Sequence, residues 1–504
     1  MPDIAFIFEV HQPLRIRSDF LAKRPFNPLG LRKLADYYFD TELDRDIFDR
    51  IASKCYLPAN NLLLRIIDAH KRDSRKVKFS FSISGIWLEQ CERFNKDLLE
   101  SFRQLMDTGM VELLGQTYYH SLASLYEDSE EFKEQIAMHT KAMEEIFGFK
   151  PKIFENTELI YNDKIAKVVE SMGFSGICTE GAERVLGNLS PNELYTAKNS
   201  SLKVILRNYK LTDDIGFRFS AKWWNEWPLT ADKYASWLSN TPGQYLCIFP
   251  DYETFGEHHW KETGIFDFLE HLPEEILKKE NLSFATPSEI ISKHPARGEI
   301  TVPEGSTISW ADIERTTSSW LGNNMQWAYY TSVKELEHVA KESRKMLEVW
   351  RYFGISDHLY YMFTSGGGPG TVHSYFSHYS NPFDAFLSAY TAIMDFSWRS
   401  DAVAYTADHP FMFTDKEGEV LRTVYSLLGF YEALKVVSIE SINNHAKRND
   451  FARWIRSSLH DPSLANSVSK IRNMRGERLR LELERIIGER LKRRKLALQE
   501  LVLS

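Results

Sequence analysis

The sequence has little of what marks a secreted, membrane-spanning or nucleic-acid-binding chain. Its 504 residues hold four cysteines, Cys55, Cys91, Cys178 and Cys247, far apart, with no CxxC pair and no zinc-like spacing. Three of them (Cys91, Cys178 and Cys247) fall in or beside apolar runs and read as buried thiols. No stretch reaches the roughly 18 apolar residues a membrane helix needs. The N-terminus shows neither a charged n-region nor a small-residue cleavage site, so the expectation is no signal peptide and a reducing cytoplasm. Basic charge is also lacking. The formal net charge is −8, which argues against a protein that binds nucleic acid by displacing counterions. No GxGxxG or Walker loop follows a strand-like run, and HExxH and GxSxG are absent.

Aromatic residues are plentiful: 32 Phe, 23 Tyr and 12 Trp. A core of this size uses many of them, but Trp and Tyr also pack on flat, amphipathic ligands such as sugars and bases. Short apolar runs recur along the first 290 residues or so. They are Asp3 to His11, Val77 to Ile83, Val111 to Leu114, Lys152 to Phe154, Ser175 to Cys178, Leu202 to Leu206 and Tyr245 to Phe249. Such runs read as buried strands. Helical periodicity lies between several of them, as in Glu130 to Phe147 and Lys164 to Met172. Alternating strands and helices predict βαβ units and a parallel sheet. Seven strands suggest a barrel one short of eight, with an open doubly wound sheet as the alternative.

After about residue 300 the pattern changes. Val333 to Phe353, Phe383 to Phe396 and Glu417 to Val437 read as helices, and Pro295 to Gly305 reads as a linker. Gly476 to Leu498 is amphipathic, with Leu479, Leu483, Ile486, Ile487 and Leu491 on one face. Its basic end, Lys492 to Lys495, is most simply a solvated helix terminus. The predicted domains are therefore a barrel over residues 1–295 and a helical domain over residues 305–504.

In a parallel barrel the chemistry lies at the C-terminal strand ends. Those ends carry Glu9, His11 and Gln12; Gly115 to His120; Glu155 to Glu158; Arg207 to Asp214; and Asp251 to Trp260. Any one of these polar residues has a bland account as a turn former or cap. A ring of carboxylates, histidines and aromatics at five ends of one scaffold points to a site. Two carboxylates flanking an anomeric carbon suffice to cleave a glycosidic bond. A zinc site from His11, His120, His258 and an acid is a weaker alternative, since no compact metal signature is present.

At these residues the sequence resembles glycoside hydrolase family 57, in particular its α-amylase-like branch. Phe8-Glu9-Val10-His11-Gln12-Pro13, Glu112 to His120, Phe154 to Tyr161, Leu206 to Phe217 and Asp251 to His258 resemble the five short regions that mark the family. Trp223 to Pro228, Ser309-Trp310-Ala311-Asp312 and Ser319 to Asn323 are further matches. The resemblance implies an incomplete (β/α)7 TIM-like barrel followed by an α-helical bundle. It also implies a retaining enzyme acting on α-1,4-glucans or maltooligosaccharides without metal or other cofactor. The nucleophile falls on Glu158. The general acid/base falls on Asp213, with adjacent Asp214 as the fallback. Glu9, His11, Gln12, His120, Trp223, Trp224, Asp251, Glu253, Glu257 and His258 become the expected substrate-binding residues, with Trp227 a further stacking candidate. A 4-α-glucanotransferase would use the same residues. A metal-dependent hydrolase or deacetylase and a non-catalytic glucan-binding protein are the readings from other classes. The glycine-rich loop Phe363 to Gly370 reads as flexible.

Overall fold

The computed structural model describes residues 2–23, 34–311, 313–365 and 377–503, without the side chains of 22–23, 401–403 and 494–503. Asp312, residues 366–370 of the glycine-rich loop, and the side chains of Arg494 and Lys495 therefore lie outside the described residues. The chain divides into two compact units. One comprises Met1–Arg15, Asp40–Gln326 and Gly354–Ser377; the other comprises Ile16–Phe39, Trp327–Phe353 and His378–Ser504.

The first unit is built on seven parallel strands: β1 (Asp3–Val10), β2 (Phe79–Ile83), β3 (Val111–Leu114), β4 (Ile153–Glu155), β5 (Gly176–Glu180), β6 (Lys203–Arg207) and β7 (Tyr245–Ile248). β1 pairs with β2 and β7, β2 with β3, β4 with β5, β5 with β6, and β6 with β7. The remaining gap is closed at Gly115. Its N–H donates to Ile153 O at 2.8 Å, and its carbonyl accepts from Glu155 N at 2.7 Å. The seven apolar runs of the sequence are thus the seven staves of a closed ring. β1 is buried along its whole length, as expected of a parallel strand covered on both faces.

Alternation along β1 separates two cores. Ala5 and Ile7 join Cys178, Ile205 and Cys247 in a small inner cluster. Phe6 and Phe8 join Phe79, Phe81 and Tyr252 in the larger cluster packed against the helices. All four cysteines are buried and unbridged. Glu9 shares the parity of Ala5 and Ile7, so the inner face of β1 ends in a carboxylate.

Pro295 to Gly305 is not a free linker. Glu299–Ile300 pairs with Thr196 and Ala197, and Val302 is buried and receives a hydrogen bond from Asp163 N.

The second unit is mainly helical, with Pro382–Ala404 and Gly476–Leu503 its longest helices. Leu479, Leu483 and Ile487 of the latter are buried in its core beside Phe430, Phe451 and Trp454. One expectation fails here. Glu417 to Val437 is not a single helix: Val420–Ser426 forms an antiparallel hairpin with Thr406–Thr414, and only Leu427–Leu434 is helical. Val420, Val424 and Tyr425 favour strand, and Gly418 at φ 94° closes the turn. No helix among the described residues is long and apolar enough to cross a membrane.

Candidate active site

The inner residues at the C-terminal strand ends form a connected polar layer. Gln116, just beyond β3, donates from Nε2 to Glu9 Oε1 at 3.1 Å and to Ser82 Oγ at 2.8 Å. Ser82 in turn donates to Glu155 Oε2 at 3.0 Å. Glu9 Oε2 is buried and has no hydrogen-bond partner among the described residues. Burial, then repulsion from Glu155, pushes the Glu9 carboxyl well above the usual range. Burial raises Glu155 to about 8.

Glu158 follows β4 in a short 3-10 turn, and the backbone there is left-handed, with φ 61° at Glu158 and 51° at Leu159. Non-glycine residues adopt that conformation only when their surroundings enforce it. Here Glu158 O accepts from Ser309 Oγ at 2.8 Å and from Trp310 N at 3.3 Å. The side chain is held as firmly. Trp310 Nε1 donates to Oε2 at 2.8 Å, Ser356 Oγ donates to Oε1 at 2.8 Å, and His120 Nε2 lies 3.5 Å from Oε1.

Asp213 lies on the helix Tyr209–Gly216 that follows β6. Arg207 donates to its Oδ1 and Arg315 to its Oδ2, each at 2.9 Å. Arg207 also pairs with Glu180 at 2.8 Å. Both Asp213 oxygens are therefore acceptors in charge-assisted bonds from arginines. Asp214 pairs with Arg218 at 2.7 Å. Neither aspartate is among the described residues that line the cavity.

After β7 the chain turns through Asp251 to Gly256. Asp251 is held against β1, since Glu9 N donates to Pro250 O at 3.1 Å. Burial, then the charge of Glu158, raises the Asp251 carboxyl to about 7. Glu253 accepts from Tyr56 and, at 3.3 Å, from Gln12. Burial and Asp251 raise it to about 8. Gly256 has φ 122°, and a Cβ there would collide with the Lys54 carbonyl. That explains the glycine of Asp-x-Glu-x-Phe-Gly. Glu257 is bound by Arg50 at 2.8 Å. Burial and His259 lower His258 to about 3.

His11, beyond β1, stacks on His120 with ring centroids 3.9 Å apart. Its Nδ1 lies 2.7 Å from Ser84 Oγ and its Nε2 lies 3.0 Å from Asp357 Oδ2. Burial and His120 lower His11 to about 4. Asp357 belongs to the short helix Ser356–Tyr360. Burial opposes its charge, but His11 overrides this and holds it at about 2.

These residues surround a cavity of about 200 Å³, lined by Glu158, Asp251, Glu9, His11, Gln12, His120, Glu253 and His258. That is below the roughly 300–1,000 Å³ of pockets enclosing drug-sized ligands, so it suits one ring-sized group of a longer ligand. Trp310, Trp320 and Tyr360 supply aromatic lining, with Trp320 and Tyr360 stacked at 6.0 Å. Glu257, Trp223 and Trp224 are not among the described lining residues. Trp223 is 80% exposed and Trp224 packs edge-on to Trp237. Trp227 is likewise outside the described lining. Among the described residues no group of three or more His, Cys, Asp or Glu has the geometry to hold a metal ion.

Sequence reasoning missed Arg315, Ser356, Asp357 and Tyr360. The polar Ser-Asp-His triplet within the apolar and aromatic run Ile355 to Phe363 was the available signal.

The chain is similar to known proteins. The sequence model of glycosyl hydrolase family 57 matches residues 5–303, and that of DUF5752, a family of unknown function, matches residues 419–501. A Methanocaldococcus jannaschii protein named "Putative alpha-amylase" is 47% identical over 405 residues, covering 78% of this chain and 84% of its own. Among solved structures, a family 57 branching enzyme from Thermococcus kodakaraensis aligns with a TM-score of 0.56 at 15% identity, covering 80% of this chain and 90% of its own. The 4-α-glucanotransferase from Thermococcus litoralis aligns with a TM-score of 0.51 at 17% identity, covering 82% of this chain and 61% of its own. At these identities the structural likeness is one of fold: a barrel-like parallel sheet with a helical C-terminal region. On the family match over more than half its length, the chain belongs to glycosyl hydrolase family 57.

Proposed function

We propose that the protein is a retaining glycoside hydrolase acting on α-1,4-glucans, with Glu158 as nucleophile and Asp251, in place of Asp213, as general acid and base. One observation carries the assignment. Glu158 and Asp251 line the same cavity, and the charge of Glu158 is among the causes that raise Asp251 to about 7. A general acid needs a proton near neutral pH, and environments that push two carboxyls apart separate acid from nucleophile. Asp213 is not among the described residues lining that cavity, and both its oxygens accept from arginines.

Glu158 attacks the anomeric carbon while Asp251 gives its proton to the departing oxygen. Asp251, now ionised, takes a proton from the incoming water, which displaces Glu158 with net retention. Glu9, His11, Gln12, Glu253 and His258 bind hydroxyls of the ring in the cavity. Trp310, Trp320 and Tyr360 pack on its apolar faces. The name of the Methanocaldococcus relative supports an α-glucan as substrate. The same aromatic lining limits the room for water and favours a sugar acceptor, which makes 4-α-glucan transfer the second reading.

Incubation with maltotriose and longer maltooligosaccharides tests the proposal. The wild type is expected to form shorter products in the α configuration, while Glu158→Gln and Asp251→Asn lose at least about 10³-fold in turnover. Products longer than the substrate would reveal transfer. Near wild-type cleavage by Glu158→Gln would make the nucleophile assignment wrong.

A further inference from the structure

His120 lies between carboxylates and a second imidazole, and its hydrogen bonds fix where its protons sit. Ser82 Oγ accepts from Gln116 Nε2 at 2.8 Å. The Gln116 amide nitrogen is thereby committed to Ser82 and Glu9, and its oxygen faces His120 Nδ1 at 3.1 Å. A carbonyl oxygen only accepts, so Nδ1 carries a proton. The other nitrogen, Nε2, lies 3.5 Å from Glu158 Oε1. A neutral ring in this tautomer would turn a lone pair toward a carboxylate oxygen. A doubly protonated ring turns an N–H there instead.

We propose that His120 works as an imidazolium paired with Glu158, and that Gln116 is the positioning residue that fixes its second proton. This rests on the reading of Glu158 as nucleophile, and it replaces substrate binding as the main role of His120. Arg207 and Arg315 are engaged by Asp213, and Arg15, the third guanidinium among the described lining residues, by Asp44. The nucleophile's cation therefore comes from the strand-end histidine.

Carboxyl groups from four elements face His120. Glu9 Oε1 lies 3.7 Å from Nδ1. Glu155 and Glu158 follow β4, Asp357 comes from the helix Ser356–Tyr360, and Asp251 from the turn after β7. Burial opposes the charge on His120, but its bond to Glu158 and the fields of Glu158, Asp357 and Glu155 outweigh it, so the ring protonates more readily than a free histidine. The stacked His11 takes the opposite state. Its Nε2 donates to Asp357 and its Nδ1 accepts from Ser84, which completes a neutral ring. The stack therefore joins one charged and one neutral imidazole, which avoids repulsion between like charges.

Histidine-selective ¹⁵N labelling of the full chain, with NMR titration of wild type and Glu158→Gln, tests the pairing without any substrate. One ring is expected to be doubly protonated at pH 7 in the wild type. Its midpoint should fall by at least about one pH unit in Glu158→Gln, a tenfold loss of proton affinity. A set of midpoints unchanged by Glu158→Gln would overturn the proposal. In a second arm, His120→Gln should lower kcat on maltooligosaccharides by at least about tenfold with KM within about twofold, and a wild-type kcat would overturn it. If no α-glucan were turned over by the wild type, the substrate reading would fail while the titration still decided the pairing.

Discussion

At the scale of single residues, the site separates carboxyls by what surrounds them. Glu158 meets two donors, Trp310 and Ser356, and has His120 Nε2 at 3.5 Å. Asp213 meets two arginines. Asp251 meets burial and a neighbouring negative charge, and is raised to about 7. A general acid acts only while protonated, so kcat/KM is expected to hold below pH 7 and fall as pH rises through about 7. A pH profile on a maltooligosaccharide checks this, and a profile still rising at pH 8 would contradict it. The sequence made the carboxylates visible but not their partners. The letters around Asp213 favour it, and the arginine that binds its Oδ2, Arg315, lies 102 positions away.

At the scale of elements, the strands were legible and the short connecting pieces were not. Seven apolar runs match β1 to β7 because strands buried on both faces carry a continuous apolar signal. Of the hairpin, the strand Val420–Ser426 lies in a stretch that reads as helix, because half-exposed residues there mix apolar and polar types without a strand period. The helix Ser356–Tyr360 has five residues, too few for a periodic pattern, yet it places Ser356 on Glu158 from 198 positions away. Ser356→Ala removes a hydrogen bond to a charged group, worth about 1.5–3 kcal/mol. We expect kcat to drop about 10–100-fold with little change in melting temperature, and steady-state kinetics beside calorimetry would separate the two effects. The turn after β7 gives a different outcome. Gly256→Ala meets both a left-handed φ, which costs a side chain about 1–3 kcal/mol, and the Lys54 carbonyl. It should lower the unfolding free energy by about 3 kcal/mol or more, measured by denaturant titration, whether or not activity survives.

At the scale of the whole molecule, burying several carboxyls couples stability to pH. Asp251 is raised to about 7, and Glu155 and Glu253 to about 8. A carboxyl raised in the folded state stabilises fully below its unfolded value near 4, and that contribution is lost as pH rises through the folded value. His11, His139 and His258, held low by burial, act the opposite way only below about 6.5. Between pH 6.5 and 8 the carboxyls alone set the slope among these groups, so the melting temperature should fall. Glu253→Gln, which can still accept from Tyr56, should make that fall shallower; a melting temperature that rises over the window would refute the account. The measurement closest to the central claim is azide rescue of Asp251→Asn and Asp213→Asn on an α-glucoside with a good leaving group. Azide needs no general base, and its attack on a covalent intermediate restores the starting configuration. The account predicts that azide restores turnover of Asp251→Asn with an α-glycosyl azide as product. Rescue of Asp213→Asn, with Asp251→Asn left silent, would contradict it.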